Sequence, residues 1–304
     1  MNPFDAHFHL LPEVVFQNAS FYNEAWGDAA GHMSAMDGAG VGRALVSYPT
    51  SDFHIKRGLS EHDAAAEINE GVKKLADASG GRLSYLAVVP LSEPDIMIEG
   101  LGRARQDGAS GLSVPTNSEG VYPDDPMFLP FFETAERYGM PIFFHPTILT
   151  PFGHSVLRHP LITPVFQYAF DTTICLAKVV ECGLLDKFPR LKLVLASFGG
   201  AMPFFAGRFD RTYRMLLSRG IVGGLSEDPA DTLKKIYVDT SGAASPAVLM
   251  LALEVFGEDR LLWGSDYPAN RDIAGSIEAI KGLPVSESAK EKILGGNLNA
   301  LLAM

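Results

Sequence analysis

Phe4-Asp5-Ala6-His7-Phe8-His9-Leu10 opens the chain as an apolar strand carrying two histidines two residues apart. A strand sends alternate side chains to opposite faces. Asp5, His7 and His9 are therefore expected on one face, with Phe4, Ala6, Phe8 and Leu10 on the other. Two imidazoles so placed at a strand end can hold one metal ion from one side. Histidine is the commonest protein ligand for zinc, and a catalytic zinc keeps a coordination position open. A bare His-x-His also fits two surface or capping histidines, so the rest of the chain has to decide.

Seven further strand signals follow. With the first they are Phe4–Leu10, Arg43–Tyr48, Leu83–Val89, Gly111–Val114, Pro141–His145, Leu191–Ser197, Ile236–Thr240 and Leu261–Ser265. Most are short, apolar and β-branched, bounded by Gly or Pro, as strands buried on both faces are. Helical patterns lie between them, at Glu61–Ala78, Asp95–Asp107, Met127–Tyr138, Val165–Leu185, Pro203–Arg219 and Pro246–Phe256. Eight strands alternating with helices, with no linker-like stretch, predict an α/β chain folded as one (β/α)8 TIM barrel domain over residues 1–304. Leu11–Gly31 and Thr147–Thr163, rich in aromatics, Gly, Pro and polar residues, are expected as lid insertions over the C-terminal face.

In such a barrel the functional side chains stand at the C-terminal ends of strands. The first strand gives His7 and His9; the fifth, Phe143-Phe144-His145-Pro146-Thr147, gives His145. The eighth, Gly264-Ser265-Asp266-Tyr267-Pro268, gives Asp266. Strands one and eight become neighbours on closure, and the fifth lies across the mouth. Three imidazoles and a carboxylate suit one divalent metal, zinc first, with manganese or iron as alternatives. Singly, His145 also fits a hydrogen-bonded core histidine and Asp266 a turn cap; all four at strand exits favour the metal site.

The chain has 36 acidic against 25 basic residues, a formal net charge of −11, which argues against nucleic acid or an anionic membrane as partner. No apolar run reaches the roughly 18 residues of a membrane span. The start, Met1-Asn2-Pro3-Phe4-Asp5, lacks a signal peptide's basic region. Cys175 and Cys182 read as reduced, packed thiols, so a cytoplasmic setting is expected.

Asp5-x-His7-x-His9, Phe144-His145-Pro146, Phe198-Gly199-Gly200-x-x-Pro203, Val238-Asp239-Thr240-Ser241-Gly242 and Gly264-Ser265-Asp266-Tyr267-Pro268 together resemble the amidohydrolase-related superfamily. Within it, the chain is most similar to the aminocarboxymuconate-semialdehyde decarboxylase branch, with the resorcylate and 6-methylsalicylate decarboxylases. The resemblance runs from the first strand to the C-terminal helix. It implies that His7, His9, His145 and Asp266 ligate a zinc or manganese ion and that the protein is a homodimer. It also implies a histidine on strand six, in a Ser-His-(x)-Gly-Gly run, where this chain reads Ser197-Phe198-Gly199-Gly200 and Phe198 takes the slot. Phenylalanine neither ligates nor transfers a proton.

That change mildly favours non-oxidative decarboxylation of a small aromatic or unsaturated acid over hydrolysis, which leans harder on acid–base groups. In this reading Asp266, held protonated in a dry pocket, is the catalytic proton donor. A metal-dependent hydrolase of a lactone, ester or amide on the same site is the alternative. A catalytically impaired barrel that only binds metal or ligand is a further one. Arg208, near where relatives place a carboxylate-binding arginine, sometimes across the dimer interface, is expected to steer the acidic substrate. His54, His154 and His159 are candidates to replace the missing histidine. Trp26, Phe21, Tyr22 and Phe152 suit the lining of an aromatic pocket, and His32 and His62 need no functional role.

Overall fold

All eight expected strands form, each hydrogen-bonded in parallel to the next in chain order. They are β1 (Phe4–Phe8), β2 (Arg43–Val46), β3 (Leu83–Val88), β4 (Gly111–Pro115), β5 (Ile142–His145), β6 (Leu193–Leu195), β7 (Tyr237–Asp239) and β8 (Leu261–Leu262). The computed structural model describes residues 2–157, 159–242 and 245–303. Past its short ladder, β8 runs on beside β1: Ala6 N donates to Trp263 O, Asp266 N to His7 O and His9 N to Tyr267 O, each at 2.9 Å. These bonds join the last strand to the first and close the barrel. Helices Glu61–Ala78 and Pro246–Phe256 match their sequence expectations to the residue.

Two layers of core result. Phe4, Ala6, Leu45, Leu86, Phe143, Val194 and Leu262 fill the inside of the barrel, where Leu298 and Leu301 of the C-terminal helix Asn297–Leu302 join them. That helix is tied down by the Asn297 amide, which donates to Glu258 O at 2.7 Å and Leu261 O at 2.8 Å. A larger apolar layer packs the outer face of the strands against the helices.

The strict alternation expected for β1 does not hold. Its register against β2 shifts between Asp5 and Phe8. Phe4 and Ala6 point into the barrel, and His7, next in line, borders the same interior space as Ala6. Phe8 packs in the outer layer. Asp5 sets this irregularity: its Oδ1 accepts from His7 N and Ser265 N, both at 3.0 Å, pinning the strand where it slips. A bulge of this kind re-aims side chains near a strand end. It is why two apolar residues and two histidines can all face inward.

The two expected lids differ. In Leu11–Gly31, Leu11, Val15 and Tyr22 are buried in the outer core, and Leu11 N donates to Trp26 O at 2.8 Å. This segment is packed structure, not a loose cover, because its apolar residues find the helix layer beside β1. In Thr147–Thr163, Phe152, Val156, Leu157 and Leu161 stay exposed, as an open loop allows, while Arg158 lies outside the described residues.

Candidate active site

His7, His9 and His145 meet at the C-terminal rim with their donor atoms all within 4.8 Å of one another. Each ring is held from behind. His7 Nδ1 lies 2.7 Å from Asp239 Oδ2, His9 Nδ1 3.0 Å from Ser47 O and His145 Nδ1 2.9 Å from Pro146 O. A carboxylate or a carbonyl only accepts, so each Nδ1 carries the proton. Each Nε2 is left facing the common centre. His7 Nε2 and His9 Nε2 face one another at 3.1 Å, and Asp266 Oδ1 lies 3.5 and 3.3 Å from them. Two ring nitrogens and a carboxylate oxygen this close need a proton or a metal ion among them.

The electrostatics point the same way. Burial opposes the His7 imidazolium, yet Asp239, Asp266 and Asp5 outweigh it and hold the His7 pKa up to about 9. Burial, with the charge of His7 and His9, pushes His145 down to about 3, leaving it neutral. Burial works against the Asp266 carboxylate, but the three histidines hold its pKa below the ordinary carboxylate range. The imidazoles around Asp266 thus favour its ionised carboxylate before any substrate binds. Once the extra proton of His7 is displaced, three ring nitrogens and one anionic oxygen, oriented by partners behind them, make a donor set that fits Zn²⁺, Mn²⁺ or Fe²⁺.

Asp239 and His32 are supporting residues to which the sequence reading gave no role. Asp239 Oδ1 accepts from Ser197 N at 2.9 Å, Ser241 N at 3.0 Å and Ser241 Oγ at 2.6 Å, which leaves Oδ2 for His7. The Asp-Thr-Ser-Gly run was visible, but only the fold shows which histidine it serves. His32, fully buried, places Nε2 2.9 Å from the carbonyl of His9 and packs edge-on to Phe8 and Tyr267.

At the β6 exit, Ser197 is the residue that reaches this network, with its hydroxyl 3.0 Å from Ser241 Oγ. Phe198 is buried in the outer apolar layer that also holds Leu176, Val238 and Phe256. Ser197 and Phe198 both have positive φ, 51° and 63°, and this tight turn carries the phenyl ring to the outer core. Gly200 follows at φ 68°, where a Cβ would lie 2.0 Å from Ala169 O. Asp266 shares this left-handed backbone, at φ 61°. Such conformations cost of order 1–3 kcal/mol each and concentrate at functional sites.

The remaining candidates separate. Trp26 stands 5.7 Å from the His9 ring, centre to centre, and packs on Tyr22. His54 lines a cavity of about 370 Å³ beside the histidines; His154 and His159 do not. Ser113 borders both that cavity and the space against His7 and His145. Loops around it are braced by buried Asp171, which accepts from Thr116 Oγ1, from Asn117 Nδ2 at 2.9 Å and from the Tyr122 hydroxyl at 2.6 Å. Arg208 is exposed on helix Met202–Ser218, outside the cavity lining. Its nearby carboxylates are engaged elsewhere, Asp210 with Arg214 and Glu227 with Lys235.

Known proteins share this fold. The chain is 26% identical over 247 residues to 2-amino-3-carboxymuconate-6-semialdehyde decarboxylase of Dictyostelium discoideum, covering 80% of this chain and 67% of that one. Its fold superposes on 5-carboxyvanillate decarboxylase of Sphingomonas paucimobilis with a TM-score of 0.87 at 22% identity, covering 100% and 99% of the two chains. It also superposes on a dihydroxybenzoic acid decarboxylase of Polaromonas sp. JS666, crystallised with manganese and 2-nitroresorcinol, with a TM-score of 0.82 at 20% identity over 100% and 97%. The family profile described as amidohydrolase matches residues 4–302, and the chain belongs to that family.

Proposed function

We propose that this protein is a metal-dependent, non-oxidative decarboxylase of a small aromatic or unsaturated carboxylic acid. The convergence of three imidazoles and Asp266 at the strand exits, near a largely apolar cavity, carries the reading. Similarity to decarboxylases supports it. His7, His9, His145 and Asp266 would hold one divalent metal, zinc by its donor set, with manganese the alternative that a relative's crystal favours. Bound there, a metal would supply the positive charge that the acid substrate needs.

The chain's own residues then manage one proton. Because Asp266 rests ionised, it first accepts a proton from the substrate's neighbouring hydroxyl group. It returns that proton to the carbon bearing the carboxylate; the carbon–carbon bond breaks and CO₂ leaves. Asp239 keeps His7 oriented throughout, and Trp26 shields His9 from water. The ionised state of Asp266 also suits a general base, and this observation keeps hydrolysis of a lactone, ester or amide as the second reading.

The protein is further proposed to be a cytoplasmic homodimer. Both cysteines are free, and among the described residues no helix is long and apolar enough to cross a membrane. Phe166, Phe170 and Phe204 are exposed near the segment after β5. Phe204 lies one helical turn before Arg208, so covering the phenylalanine with a second subunit would bring the arginine to that interface. There Arg208 would steer the acid anion.

The test is CO₂ release from hydroxybenzoic and unsaturated acids by metal-loaded protein, with Asp266→Asn as control. Decarboxylation by the native chain and at least about 100-fold loss in the variant are expected. Silence across a broad panel, with one metal bound per chain, overturns the reading.

A further inference from the structure

The cavity beside the histidines has an uneven character. Its volume, about 370 Å³, falls in the range of about 300–1,000 Å³ typical of small-molecule sites. It lies on the β2–β5 side of the mouth and shares Ser113 with the space that His7 and His145 border. One wall is apolar, built by Phe53, Ala64, Ile68, Val88, Val89 and Leu91, while uncharged hydroxyl and amide groups such as Thr50, Asn117 and Thr150 share the rest of the lining. The ionisable groups that line it are Tyr48, His54, Glu61 and Glu119, and no lysine or arginine does. Glu61 is fixed in the wall, its Oε2 accepting from Leu91 N at 3.2 Å.

A carboxylate anchored at the histidines would thus point the rest of its molecule toward an apolar space edged by negative charge. We propose that this cavity reads the substrate's second substituent, admitting a neutral, largely apolar arm and rejecting a second carboxylate. The inference rests on acid binding at the histidine centre. An alkyl arm gains by leaving water, about 0.8 kcal/mol or fourfold per methylene. A second carboxylate would lose its hydration, find no cation from its own subunit and face two glutamates.

The experiment measures dissociation constants by calorimetry on manganese-loaded protein, with CO₂ release followed in parallel. The probes are 2-hydroxybenzoate, its 6-methyl, 6-ethyl and 6-propyl derivatives, and the analogue with a carboxylate in place of the alkyl group. Affinity is expected to rise about fourfold per added carbon. The dicarboxylate should bind at least about tenfold more weakly than 2-hydroxybenzoate, and His54→Arg, which places a cation in the wall, should recover that loss. Affinity indifferent to arm length, or a dicarboxylate bound as tightly as the parent, overturns the inference. So does tight dicarboxylate binding that vanishes in Arg208→Ala, because a cation from a second copy would then be reading the arm. An intact alkyl trend without CO₂ release sinks decarboxylation and leaves this inference standing. Failure of every acid to bind sinks both.

Discussion

Replacing Asp239 with asparagine tests the orientation of the metal centre by moving a single proton. In the native chain Asp239 Oδ2 takes the Nδ1 proton of His7, while its Oδ1 serves Ser197 N, Ser241 N and Ser241 Oγ. Asparagine keeps one acceptor oxygen, and those three donors claim it. Its amide NH₂ then faces His7 Nδ1, which must become an acceptor, and the ring proton moves to Nε2, where the metal should bind. Loss of a partner behind a metal ligand typically costs 10–100-fold in affinity, about 1.4–2.8 kcal/mol.

The pH dependence separates this tautomer shift from a simple loss of packing. With its pKa held at about 9, native His7 binds a proton at pH 7 that the metal must displace. Two pH units at about 1.4 kcal/mol each make this a penalty of about 3 kcal/mol. The sign follows: metal affinity of the native protein rises about tenfold per unit between pH 7 and 9, then levels. In Asp239→Asn the raised pKa is lost and that slope should flatten, while overall affinity above pH 9 stays at least about tenfold below native. Competition with a chelator of known affinity, read by metal analysis across that pH range, measures both. A variant that binds metal as tightly as the native chain with the same pH slope would refute the reasoning.

Gly264→Ala places a Cβ 2.6 Å from His7 Cβ, so bound metal should fall well below one per chain while far-UV circular dichroism stays native. Leu298→Ala, under the barrel, should cost about 2–5 kcal/mol in denaturant unfolding without changing metal stoichiometry. Arg208→Ala should raise KM for the acid substrate with metal content unchanged; a native KM would remove the steering role. If the exposed phenylalanines are an interface, Phe204→Asp should shift the sedimentation coefficient from dimer to monomer.

How much of this was legible beforehand varies by residue. The barrel was legible because each strand is a short apolar run and each helix has its own period. His145 and Asp266 followed from one rule, that barrel chemistry gathers at strand exits. The slip in β1 was not, since period-two reading assumes an unbroken ladder and Asp5 breaks it through backbone amides that no spacing encodes. The same limit hid Ser197: the orientation of a three-residue turn depends on positive φ at Ser197 and Phe198, and a linear motif does not carry it. Asp239 and His32 sat in plain view, but a supporting residue acquires its meaning only from what it touches. The charge that Asp266 carries at its strand exit was not legible, because ionisation depends on His7, His9 and His145, which are distant in sequence.

Leu298 and Leu301, wedged under Phe4 and Leu262, give the vessel a sealed base. Traffic to and from the rim therefore does not run through that end. In the proposed decarboxylation, carbon dioxide freed beneath a ligand still sitting above it would have to slip past the spent acid or wait for it to go. The order in which two products queue to leave would then set the pace of turnover.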